Sequence, residues 1–148
     1  MSGSSPERAH PSATGPVPAS SQVFASASAL AERFGSPIYE PAKWPTRSGP
    51  PVYTLDQFPG RTHYRIQVIQ EDGTPINIIG FLGQPSQRAG LNGWERVPEL
   101  ESEGGLGKPR GNGIDMVVCK DPQVVHLLGY QTTQDAVEAA LSLRLIGV

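Results

Sequence analysis

Apolar residues recur along this chain at two different periods, and each change of period marks an element. From Val23, the residues Val23, Phe24, Ala27, Leu30, Ala31 and Phe34 return at the three- and four-residue intervals that put side chains on one face of a helix. Ser20 or Ser21 offers a cap and Gly35 a stop, so the spacing predicts a first helix here. Pro37, Pro41 and Pro45 then exclude a helix and predict an extended strip that packs through Ile38, Tyr39 and Trp44. Val52 to Leu55 reads as a short strand.

The period changes to two at Thr62. Tyr64, Ile66 and Val68 share one face of a strand running to Gln70, Glu71-Asp72-Gly73-Thr74 supplies a turn, and Pro75 to Leu82 returns as the second strand of a hairpin. That return strand is apolar on both faces near its end, as a central strand covered from two sides would be. From Gly83 to Gly113 the pattern lapses into glycines, charges and few aliphatics, which predicts a long Gly-rich loop. Alternation resumes at Ile114, Met116 and Val118, turns at Lys120-Asp121-Pro122-Gln123, and continues as a strand from Val124 to Tyr130. Thr132-Thr133-Gln134-Asp135 then opens a closing helix to about Arg144, with Ala136, Val137, Ala140, Leu141 and Leu143 as its apolar stripe. The pattern therefore predicts an α+β fold: a small antiparallel sheet of four to five strands in two hairpins, packed with an N-terminal and a C-terminal helix.

Residues 1–20 hold Ser, Pro, Gly and Ala and too little apolar area to offset their ordering entropy, so a disordered tail is expected ahead of one domain over 21–148. The whole chain has 148 residues, the size of one domain. Its 12 Lys+Arg against 14 Asp+Glu leave a formal charge of −2, which argues against a nucleic-acid partner because no global basic field exists to hold a polyanion. No apolar run is long enough for a membrane span, and no basic-then-apolar leader opens the chain, so a cytoplasmic protein is expected. One cysteine, Cys119, cannot form an internal disulfide or a cysteine-based zinc cluster.

Certain motifs carry a family resemblance. The closing run from Thr132 through Ala140-Leu141-Ser142-Leu143, the Gly129-Tyr130 pair before it, and Gly35-Ser36-Pro37-Ile38-Tyr39-Glu40-Pro41 with Trp44-Pro45 together resemble an uncharacterised domain family found at the extracytoplasmic ends of some bacterial anti-sigma factors and in related small proteins. The resemblance implies an α+β architecture and a non-enzymatic role, and transfers no site. The membrane anchor and signal of the anti-sigma relatives have no counterpart in this sequence.

The candidate chemistry is sparse. Gly104 to Gly113 invites a phosphate-loop reading with Lys108 and Arg110 as the cations, but Ser102 stands where the first P-loop glycine belongs and Pro109 stands at the Ser/Thr position. Cys119, His63 and His126 are the thiol and imidazoles of the folded part, all on predicted strands, and no spacing places them together. Asp115, Asp121, Glu99, Glu101 and Glu103 read as solvated charges. Trp94, isolated among polar residues, is the expected exposed anchor. The sequence therefore predicts a small binding or regulatory module that recognises a protein or small ligand through the 83–113 loop, with Trp94, Lys108 and Arg110 as binding residues, without catalytic residues, metal or cofactor. The alternative is a small enzyme using Cys119 or a carboxylate with a histidine.

Overall fold

A computed structural model describes residues 17–83, 93–111 and 113–147, with the exception of the Arg110 side chain. Its centre is an antiparallel sheet of eight strands rather than four or five. The strands are β1 (Ser20–Phe24), β3 (Val52–Phe58), β4 (Arg61–Ile69), β5 (Pro75–Leu82), β6 (Glu95–Arg96), β7 (Leu106–Arg110), β8 (Gly113–Lys120) and β9 (Gln123–Tyr130), in the order β1-β3-β4-β5-β9-β8-β7-β6. A separate two-stranded ribbon pairs β2 (Ile38–Pro41) with β10 (Leu143–Ile146). Two short helices, α1 (Ala27–Phe34) and α2 (Thr133–Leu141), pack on one face of the large sheet.

Both hairpins form as the alternation predicts, and the additional strands come from three places where local chemistry was misleading. At the N-terminus, Val23 and Phe24 belong to β1 and pair with Thr54 and Tyr53. The helix starts later because Ser26, not Ser20 or Ser21, is its cap, its Oγ accepting from the Ala29 N–H at 3.1 Å. Gly35 does end that helix, in the left-handed conformation at φ 90.

In the predicted 83–113 loop, residues 84–92 and 112 lie outside the described residues, but 93–111 hold β6, a 3-10 helix over Pro98–Glu103, and β7. Glycine and proline disguised β7. Gly107 is needed because a Cβ there would press on Val97 Cγ2 and Ile114 Cδ1 at 3.1 and 3.2 Å, and Pro109 is tolerated beyond the end of the short outer strand β6. At the C-terminus, the helix stops at Leu141 and Leu143 to Ile146 turn back as β10. Leu141, expected in the apolar stripe, is 60% exposed, and the buried face of α2 is Ala136, Val137, Ala139 and Ala140. Residues 1–16, most of the expected tail, lie outside the described residues, and β1 begins at Ser20.

The main core fills the helix side of the sheet. Leu55, Ile66, Val68, Ile76, Ile78, Met116, Val118, Val125 and Leu127 meet Leu30, Ala31 and the small face of α2, while Val97 and Leu100 close the far end. Tyr64 ties the ribbon down: the Tyr39 N–H donates to its hydroxyl at 3.0 Å, and that hydroxyl donates to Gln123 Oε1 at 2.7 Å. Gln123 Nε2 in turn donates to the Pro37 carbonyl at 2.7 Å.

Strand β9 breaks alternation near its end. The register runs Met116 opposite Leu127 but Ile114 opposite Tyr130, so β9 spends one residue more than β8. Gly129, at φ 96, takes up the extra residue, and its N–H donates to Asp115 Oδ1 at 2.9 Å. Tyr130 is thereby delivered to the helix-side core.

Candidate functional site

Cross-strand register builds the helix-free face of the sheet from residues scattered in sequence. Asp56 lies opposite His63, Arg65 opposite Ile79, Ile79 opposite His126 and His126 opposite Val117. In the adjacent row, Phe81 lies opposite Val124 and Val124 opposite Cys119. Facing residues of antiparallel strands share a face. One face of the sheet therefore carries Asp56, His63, Arg65, Ile79, Phe81, Val124, His126, Val117 and Cys119, of which Asp56, Phe81, Val117 and Val124 are buried.

Its centre is a ladder of rings. Phe58 and His63 have centroids 4.8 Å apart, His63 and Phe81 5.3 Å, and Phe81 and His126 6.0 Å. The Arg61 guanidinium sits over both phenyl rings, 5.4 Å from Phe58 and 5.7 Å from Phe81. His63 Nε2 is buried without a hydrogen-bond partner. Burial, helped by the charge of Arg61, pushes the His63 imidazole down to about 4, against the pull of Asp56. His126 is lowered too, by burial first, with Asp115 opposing. Both rings are thus neutral near pH 7, each with one donor and one acceptor nitrogen.

Asp56 is fully engaged: Arg65 Nε and Nη2 donate to it at 2.8 and 3.2 Å, and Ser21 Oγ at 2.6 Å. Burial acts to raise its pKa, but these hydrogen bonds outweigh burial and leave it below the usual carboxylate range. Arg61 pairs with no carboxylate among the described residues.

Trp94 is half-buried, not an exposed anchor, and packs on a second small core of Phe81, Val117 and Val124 beside the ring ladder. Lys108, exposed on β7, lies opposite Asp115. Continuing the β6–β7 register sets Lys108 beside Trp94 on the same helix-free face. The structure therefore brings two of the three sequence-predicted residues, Trp94 and Lys108, to one border of the ring ladder. Arg110 ends β7 opposite Gly113.

Sequence reading missed His63, Phe81, His126 and Arg61 as a unit. The signal that could have joined them was the two-residue period aligned across both hairpins. Cys119 shares the face but lies diagonally from His126. That spacing is roughly 7–8 Å between Cα atoms, and no hydrogen bond joins the two side chains. Among the described residues no group of three His, Cys, Asp or Glu could hold a metal ion, and no helix is long and apolar enough to cross a membrane.

Compared with family models, curated proteins and solved structures, the chain matches none of them.

Proposed function

We propose that this chain is a small cytoplasmic binding module that takes a protein partner on the helix-free face of its sheet, over the ring ladder and against the border formed by Trp94 and Lys108. The observation that carries the reading is the buried, unpartnered Nε2 of His63 at the middle of an aromatic row. A buried polar atom without a partner costs roughly 1–3 kcal/mol. A phenylalanine would fill the same place without that cost, so the imidazole is accounted for by a group that docks there.

The shape of the face favours a macromolecule over a small ligand. Small-molecule sites are concave, and four cavities formed by the described residues have linings without His63, Phe81, His126 or Trp94. From β4 to β7 the surface spans four strand spacings, roughly 20 Å, the width of a modest protein interface. Arg61 calls for an acidic side chain in the partner, the half-buried Phe58 for an apolar one, and the neutral His63 for a hydrogen-bonding group.

The test is capture of a partner from extract of the source cells by the wild-type chain, with recovery compared across variants. Arg61→Glu and Trp94→Ala should lose the partner. His63→Phe should weaken capture while leaving the free protein at least as stable as wild type. Undiminished capture by all three variants would move the interface elsewhere.

A further inference from the structure

We propose that the cavity beside α2, on the opposite side of the sheet, is a binding site for an organic cation: an ammonium or guanidinium group on an aliphatic chain. The cavity has a volume of about 330 Å³. Helix α2 contributes Asp135 and Glu138, one turn apart on the same face, the strap after β2 contributes Lys43 and Trp44, and Tyr130 of β9 lines it from the core.

Tyr130 is 1% exposed and its hydroxyl has no hydrogen-bond partner. Tyr130 and Asp135 line this cavity together, and burial first, then the charge of Asp135, raise the Tyr130 pKa above the ordinary tyrosine range. A buried hydroxyl left unpaired is unfavourable, and a ligand N–H donating to Tyr130 Oη would complete it.

The surrounding charges select a cation. Asp135 makes no side-chain hydrogen bond or ion pair among the described residues, and Glu138 gives one oxygen to Gln134 Nε2 at 3.2 Å. Against these two carboxylates stands one cation, Lys43. The Trp44 indole adds a π face of the kind that holds ammonium and guanidinium groups. A neighbouring cavity of about 250 Å³ shares Pro45, Thr46 and Asp135 and continues to Asp72, which accepts from Thr74 and Gln131, and to Glu71, which pairs with Arg47 at 3.0 Å.

The ligand chemistry has two sources, a free dication or the side chain of an arginine or lysine in another protein. The experiment uses the full chain labelled with ¹⁵N and follows the indole N–H signals of Trp44 and Trp94, assigned with Trp94→Phe. The probes are agmatine, which carries both cationic groups, and Nα-acetyl-arginine amide, which stands in for a protein side chain. At least one should shift the Trp44 signal saturably, at millimolar concentrations or below, and leave Trp94 still. Asp135→Asn should weaken that binding roughly tenfold or more, the effect of removing a charged hydrogen-bond partner. Tyr130→Phe should weaken it as well, while the free protein melts no lower than wild type, a combination that a purely structural tyrosine would not give. Tighter binding of agmatine assigns the site to a free dication, and tighter binding of the blocked arginine assigns it to a partner's side chain. No saturable Trp44 shift with either probe up to roughly 20 mM, the weak end of specific small-ligand affinity, would overturn the proposal. So would binding indifferent to Asp135→Asn.

Discussion

Replacing Gly80 with alanine should be among the most damaging single-methyl changes in this protein. Gly80 lies opposite Tyr64 in the β4–β5 ladder, and the tyrosine ring occupies the space a side chain would take. An added Cβ would stand 2.5 Å from Cε2 and closer still to Cζ and Oη. Gly80 has ordinary extended backbone, so strand entropy alone would make alanine better by about 0.5–1 kcal/mol. The clash opposes and exceeds this gain. The ring is fully buried, and swinging it aside breaks its bonds to the Tyr39 N–H and to Gln123. Overpacking of about 1–3 kcal/mol with two lost hydrogen bonds of about 1 kcal/mol each gives a net loss near 3–4 kcal/mol. Urea denaturation should show the midpoint falling at unchanged slope, and the melting temperature should drop by roughly 10 °C or more. In a Tyr64→Leu background the same substitution should cost less than about 1 kcal/mol, since the shorter side chain leaves room, and the double-mutant cycle should report the difference as coupling. A Gly80→Ala protein within 1 kcal/mol of wild type, or additivity in the cycle, would refute the clash as the reason for the glycine.

Burial separates two residues of α2 that sequence reading placed in one stripe. Val137→Asp should cost several kcal/mol by burying a carboxylate, whereas Leu141→Asp at an exposed position should stay within about 0.5 kcal/mol, both measured by chemical denaturation. Thr132→Ala removes the side-chain acceptor for the Asp135 N–H at 3.0 Å and should cost about 1 kcal/mol by the same assay. His63 binds its proton more weakly folded, near 4, than unfolded, near 6.5. Stability is therefore complete above about pH 6.5 and is lost as pH falls toward 4, with His126 acting in the same direction. His63→Phe should flatten the melting temperature between pH 7 and 4.5, and an unchanged slope in that variant would contradict the assignment.

The parts of the fold written in side-chain alternation were legible: β4 and β5 with their Asp-Gly turn, β8 and β9, and the two short helices. The parts written in backbone pairing were not. Leu106-Gly-Lys-Pro-Arg110 has the composition of a turn, and it is a strand because β8 offers a ladder and Gly107 lets Val97 and Ile114 close over it. Val23 and Phe24 fit a helical period and a strand equally well, and pairing with Tyr53 and Thr54 decides between them. The candidate site was illegible for the same reason. His63, Phe81 and His126 are far apart in the chain, and only the register of three strands sets their rings in a row. Tyr130 hides further, since alternation from His126 would aim it at the other face of the sheet.

That last irregularity decides where the chain can change length. Adding one residue between Leu127 and Tyr130 would carry Tyr130 to the helix-free face, and deleting Gly129 would remove the N–H that donates to Asp115 Oδ1. A Cβ on Gly129 would run into the Pro75 carbonyl, so the extra residue must also remain a glycine. The outer strand β6 is two residues long with both side chains exposed, and it can gain or lose residues at little cost. Insertions and deletions should accordingly accumulate along the β6 border and be purged from β9, whose length is as constrained as its sequence.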